Sequence, residues 1–173
     1  MTTYDLEELE SAFRNYWNVG MIREDWNGWC DLFTEDVDYH ERVYGSMKGR
    51  ETVRAWIVPV MKKYLEIYGV YGWHQLDPSG RIVFYMQNRR DHPSGEGYVD
   101  FPGISILHYA GNGLFRQQED YWAQPLGTKA FVDYEKALKE LDPEHRKKAT
   151  RLHWGDGPAW TIGPKSYWDH PRT

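Results

Sequence analysis

The sequence predicts an α+β domain, and three observations predict it. Apolar residues recur at helical spacing over the first third of the chain. From Gly69 the pattern changes to period two, broken by short turns rich in Gly, Pro, Asn and Asp. Aromatic residues make up 16% of the chain, with nine Trp and thirteen Tyr. Such side chains join a large apolar body to one polar tip, so they suit cores and pockets for ring-bearing ligands alike.

Asp5 can cap a first helix, with Glu7 and Glu8 favourable to its dipole and Leu6, Leu9, Phe13, Tyr16 and Trp17 at helical spacing. Gly20 is expected to end it. A second short helix fits Arg23 to Phe33, with Trp26, Trp29, Cys30 and Phe33 on one side. Val37 to Val43 reads as a strand, followed by a loop through Gly45 and Gly49. A third helix spans about Arg50 to Tyr64, and Pro59 is expected to kink or break it. A strand then leads to Trp73-His74-Gln75-Leu76, and Asp77-Pro78-Ser79-Gly80 carries hairpin chemistry. Arg81 to Arg90, Ile104 to Tyr109 and Leu114 to Ala123 are the following strands. Short turns between them make an antiparallel meander the economical topology.

After Pro125 a helix is expected from about Lys129 to Leu141, and Asp142-Pro143-Glu144 starts one more. The last residues lack periodicity but carry Trp154, Trp160, Tyr167 and Trp168. That much aromatic surface predicts an arm packed on its own domain or on a partner subunit. The expected organisation is one domain over residues 1–130 and a C-terminal helix with an extended arm over residues 131–173.

Composition narrows the function classes. A net charge of −5 disfavours nucleic acid, which calls for a basic face. No apolar run approaches the roughly 20 residues that span a membrane. The start Met1-Thr2-Thr3-Tyr4-Asp5-Leu6-Glu7 lacks the basic and apolar regions of a signal peptide, so a cytoplasmic location is expected. Cys30 stands alone and reads as a small buried hydrophobe. The histidines lack the paired spacing of a zinc site, and no phosphate loop or nucleophile elbow occurs, so neither metal nor cofactor is expected. General acid–base chemistry by groups projecting into an apolar pocket remains.

The order of helix, helix, strand, helix and antiparallel meander resembles the nuclear transport factor 2-like, or SnoaL-like, superfamily. Local text carries the resemblance: Asp25-Trp26, Leu32-Phe33-Thr34-Glu35-Asp36-Val37, Gly49-Arg50-Glu51 and Glu119-Asp120-Tyr121. It covers residues 5 to about 130 and implies a cone-shaped curved sheet, closed by the N-terminal helices around a deep pocket. Family trades include dehydratases, isomerases, polyketide cyclases, epoxide hydrolases, aromatic lyases and non-catalytic binders, so the site must decide.

Asp120 is the first candidate: limonene epoxide hydrolase-like members place a catalytic aspartate in a similar Asp-Tyr pair on the last strand. Glu119 faces the other way, because strand side chains alternate. Either residue can be the inward one. Arg89 is read as an oxyanion or carboxylate binder on a face shared with Tyr85 and Gln87. The epoxide hydrolase pattern asks for Arg-x-Asp here, and Gln87 with Arg89 departs from it. Tyr39 matches the tyrosine that holds water in that pattern, while Glu41 replaces an asparagine. Scytalone dehydratase-like members use a histidine after the third helix, oriented by an aspartate near the second. His74 and Asp25 occupy those elements. His108, Trp29 and Trp122 complete the expected substrate contacts.

The expected activity is a cofactor-independent lyase, working by dehydration or carbon–carbon cleavage through general acid–base chemistry on a bulky aromatic or polycyclic small molecule. Epoxide hydrolase, isomerase or cyclase, and a non-catalytic binding module stand as alternatives. Members of this fold commonly pair through the outer sheet face, so a homodimer or higher homo-oligomer is expected.

Overall fold

The computed structural model describes residues 3–164. Tyr167 and Trp168 lie outside the described residues. Helix α1 spans Leu6–Trp17, with the Asp5 carboxylate accepting from the backbone N–H of Glu7 at 2.7 Å and of Glu8 at 3.3 Å. Its buried stripe is Leu9, Ala12, Phe13, Tyr16 and Trp17. The chain does not stop at Gly20 but continues in a wide π turn over Asn18–Ile22. A Cβ on Gly20 would sit 2.5 Å from Cδ1 of Trp29, so glycine serves close packing there rather than termination. That turn takes up residues expected in the second helix, and α2 is confined to Trp26–Cys30.

Strand β1 spans Phe33–Glu41, and Gly45–Lys48 forms a short β2 paired antiparallel to it, where a loop was expected. Helix α3 spans Arg50–Lys63 and contains Pro59 without ending there. Strands β3 (Tyr68–Asp77), β4 (Arg81–Asp91), β5 (Tyr98–Gly111) and β6 (Leu114–Trp122) form the expected antiparallel meander. The sheet order is β2-β1-β6-β5-β4-β3, and β1 runs parallel to β6, so the sheet is mixed. This pairing is the consequential one, because it sets Tyr39 and Glu41 beside Gln118 and Asp120.

The curved sheet is closed by α1, α2 and α3, and the core between them is aromatic: Phe13, Tyr16, Trp17, Trp29, Phe33, Phe84 and Phe115 are buried together. Cys30 is buried among them, and burial pushes its thiol up to about 11. Helix α4 begins at Gln124 rather than Lys129 and runs to Leu141, with Pro125 in its first turn, where a missing N–H costs no intrahelical bond. A four-residue α5 follows at His145–Lys148.

Beyond it, the described part of the arm packs on its own chain. Trp154 lies against Tyr68, Trp17 donates its indole N–H to the Thr161 carbonyl at 3.2 Å, and Trp160 covers Phe13 and Tyr71. Arg151, fully buried, pairs with Glu24 at 2.7 Å and donates to the carbonyls of Leu65 and Ile67. Among the described residues no helix is long and apolar enough to cross a membrane.

Candidate active site

The inner face of the sheet and helices α2 to α4 enclose a cavity of ≈ 250 Å³. Its walls are Trp26, Trp29, Trp56, Trp122, Tyr64 and Phe131, among other aromatic and aliphatic residues. Strand alternation supplies the polar floor. From β6 come Gln118 and Asp120, from β5 Ser105, and from β1 Tyr39 and Glu41. Asp120 is thus the inward member of its pair. Glu119 points to the outer face, where it bonds Arg42 at 2.5 Å and accepts from the Tyr121 hydroxyl at 2.7 Å.

Asp120 accepts three neutral hydrogen bonds. Ser105 Oγ donates to its Oδ1 at 2.7 Å, Gln118 Nε2 to the same oxygen at 2.8 Å, and the Tyr39 hydroxyl to Oδ2. Gln118 also donates to the Tyr39 oxygen at 3.0 Å and accepts from the buried Tyr16 hydroxyl at 2.9 Å. The result is a closed relay of two tyrosines, one amide and one carboxyl. Burial raises the proton affinity of Asp120 above the ordinary aspartate range. The three hydrogen bonds oppose that shift, and the charge of Glu41 adds to it. Burial, with the neighbouring Asp120, drives the hydroxyls of Tyr39 and Tyr16 well above the ordinary tyrosine value, so both remain donors.

Glu41 is not a loose acid. Its Oε2 accepts from the backbone N–H of Val43 at 2.6 Å and of Tyr44, and its Oε1 from Trp122 Nε1 at 2.6 Å. It therefore ties the β1–β2 turn, whose Val43 and Tyr44 form a lip of the cavity, to the wall residue Trp122.

The structure brings together five of the residues singled out from sequence: Asp120, Tyr39, Glu41, Trp29 and Trp122. It separates the others. His74 does not line the cavity, and its ring packs among Phe13, Tyr71 and Trp160. Its Nε2 meets Glu10 at 2.6 Å, its Nδ1 meets the Tyr71 hydroxyl at 2.9 Å, and Phe13 lies 4.3 Å from its ring. Asp25 is exposed and caps α2 through the Gly28 N–H at 2.9 Å, so the carboxylate beside His74 is Glu10 and the expected dyad does not form.

On β4 the inward set is Phe84, Met86 and Asn88, which turns Tyr85, Gln87 and Arg89 to the outer face. Gln87 donates to the Tyr85 hydroxyl at 2.7 Å, and Tyr85 stacks with Trp73. Arg89 holds Asp100 at 2.6 Å and the His153 carbonyl at 2.6 Å, anchoring the arm rather than a ligand. His108 also lies off the cavity, and burial followed by Arg116 lowers its proton affinity.

Sequence reasoning passed over Ser105, Gln118, Tyr16 and Trp56. Gln118 had a signal, being two residues from Asp120 and so on the same strand face. Ser105 had none, since its place depends on the β5–β6 register that pairs it with Asp120.

No protein-family model and no curated protein matches the chain. Solved structures do. An LEH-like epoxide hydrolase from M. tuberculosis is 14% identical with a TM-score of 0.61, covering 78% of this chain and 96% of that one. A protein assigned as a SnoaL-like polyketide cyclase, from Shewanella putrefaciens CN-32, is 10% identical with a TM-score of 0.60, covering 72% and 86%. An NTF2-like protein of unknown function from Burkholderia pseudomallei K96243 is 15% identical with a TM-score of 0.58, covering 71% and 96%. At these identities the likeness is one of fold.

Proposed function

The chain has the nuclear transport factor 2-like fold, and on that premise we propose that it is a cofactor-independent lyase for a bulky aromatic or polycyclic small molecule, with Asp120 as its general base. The observation that carries this reading is a carboxyl group on the floor of an apolar cavity, held on both oxygens by neutral donors and raised in proton affinity by burial. Such a carboxylate is a stronger base than one in water, and its hydrogen bonds hold it in one orientation. Oδ1 takes two donors and Oδ2 only one, which leaves a lone pair on Oδ2 for a substrate proton.

In the elimination, Asp120 takes a proton from carbon and the C–H electron pair forms the new double bond. The leaving hydroxyl departs with the proton that Asp120 returns, as water. Elimination needs only a base and an acid, and one carboxyl serves as both in turn. An isomerase or cyclase would employ the same carboxyl and differ in its product.

Epoxide hydrolysis is supported by Tyr39 beside Asp120 but opposed by the outward Arg89. No Lys, Arg or His lines the cavity among the described residues. We further propose a homodimer through the outer sheet face, where Trp73, Ile104 and Tyr121 are exposed; light scattering on the eluting protein would show a monomer if this is wrong.

The test is turnover of lignin-type dimers, aromatic alcohols and epoxides by the protein and by Asp120→Asn. General-base loss predicts a fall in kcat of about 10²–10⁴ with the fold intact. Equal turnover in the variant would remove Asp120 from the chemistry. Tight binding without turnover of any compound would favour a binding module.

A further inference from the structure

We propose that the cavity takes as its ligand an alkylammonium group carried on an aromatic body and rejects carboxylates of the same size. This deepens the reading of the cavity as a substrate site and rests on it. The first observation is the sign of the lining. Glu24, Glu41 and Asp120 line the cavity, whereas no cationic side chain does among the described residues.

Glu24 is balanced by Arg151, both almost wholly buried. Glu41 and Asp120 are not balanced in this way. They lie side by side on β1 and β6 with their Cα atoms in register. The donors to Glu41 are two backbone N–H groups and an indole, and those to Asp120 are a phenol, a hydroxyl and an amide. All six are neutral. Two carboxyl groups thus share an apolar cavity with no cationic side chain bonded to either, an arrangement in which a like charge is repelled and an opposite one gains.

Cations near the wall stand on its outer side, and Arg90 also pairs with Glu66 at 3.4 Å. Arg42 holds Glu119 on the outer face, Lys63 lies 5.1 Å from the Tyr64 ring centroid, and Arg90 lies 4.0 Å from that of Phe131, yet none of the three lines the cavity.

The rings supply the second observation. Tyr39, Tyr44 and Trp56 meet at centroid distances of 5.4 and 5.5 Å, tilted by 57° and 56° rather than stacked. All three line the cavity, and of the aromatic side chains indole offers a cation the strongest π face. Tyr39 carries its hydroxyl on Asp120, so this cluster and the carboxyl pair border one end of the same cavity. A carboxylate ligand there would meet two carboxyl groups and ring faces of negative potential. An ammonium group finds attraction from both.

The experiment is calorimetric titration, at neutral pH, with three probes of one shape: naphthylmethylammonium, naphthylmethanol and naphthoate. The ammonium probe is expected to bind about tenfold or more tightly than the alcohol, and naphthoate more weakly than either. Glu41→Gln is expected to shrink the ammonium-over-naphthoate ratio by about tenfold. Asp120→Asn serves as the second variant should the first fail to fold. Naphthoate binding as tightly as the ammonium probe, an ammonium probe no tighter than the alcohol, or a ratio unmoved in both variants would overturn the proposal. Turnover of a neutral or anionic substrate that is lost in Asp120→Asn would leave the acid–base reading standing while this one falls.

Discussion

Replacing Glu41 by Gln separates two roles that the structure gives this residue. The carboxylate accepts on Oε2 from the N–H groups of Val43 and Tyr44, and on Oε1 from the indole of Trp122. A carboxamide has one acceptor oxygen and one NH2 group. The orientation that keeps both backbone donors turns the NH2 towards the Trp122 N–H. One charge-assisted bond is then lost, at about 1.5–3 kcal/mol, and two more fall to neutral strength. The net cost is about 3.5–5 kcal/mol, or a fall in Tm of about 7–20 °C for a chain of this size.

The second effect runs through Asp120. The Glu41 charge raises the proton affinity of its neighbour, so neutralising it lets Asp120 release its proton at lower pH. The acid limb of kcat/KM, which reports the base becoming available, is expected to move to lower pH. Thermal unfolding measures the first effect, and a carbon-13 NMR titration of the Asp120 carboxyl measures the second without reference to turnover. A residue that merely braced the lip would lower Tm and leave the titration unmoved. An Asp120 titration that stayed in place or moved upward would refute the reasoning.

Tyr39→Phe is expected to act in the opposite sense: its hydroxyl bond lowers the proton affinity of Asp120, so its loss moves the same acid limb to higher pH, as read in the pH–rate profile. Asp120→Asn bears on stability as well as turnover. Because burial raises the folded-state value, ionising Asp120 costs stability as pH rises from the ordinary aspartate range through the raised one. The amide variant is therefore expected to lose less stability than the parent over that rise, measured by urea unfolding at a series of pH values. Arg151→Met would remove the buried ion pair with Glu24 and a donor to the Leu65 and Ile67 carbonyls. A loss of about 3–5 kcal/mol is expected in denaturant unfolding, and a loss below about 1 kcal/mol would show that the arm is not locked by this residue.

The elements of this fold were legible where their causes are local. Asp5 caps α1, and the turn at Asp77–Gly80 and the period-two runs placed β3 to β6, because caps, turns and strand sterics act over a few residues. Boundaries slipped where packing overrode local preference. Gly20 sits against Trp29 inside a wide turn, and β2 is too short for a periodic signal.

For β4 the sequence did hold the answer. Ile82, Phe84 and Met86 form the more apolar set and are the buried one, and Arg89 belongs to the other face. For β6 it did not. Gln117 and Glu119 are as polar as Gln118 and Asp120, so alternation divides them into two sets without saying which turns inward.

By itself, then, the sequence determined an aromatic-rich α+β chain with a meander, a fold resemblance, and a short roster of residues able to move protons. The tertiary structure decided which of those residues meet. The parallel pairing of β1 with β6 sets Tyr39 and Glu41 beside Asp120, and the β5 register adds Ser105. Packing of α1 fills the space around His74 with rings, and the outward turn of β4 gives Arg89 to the arm. Periodicity is a property of neighbours along the chain. Convergence on one cavity depends on contacts between residues as far apart as 39 and 120, which no local pattern encodes.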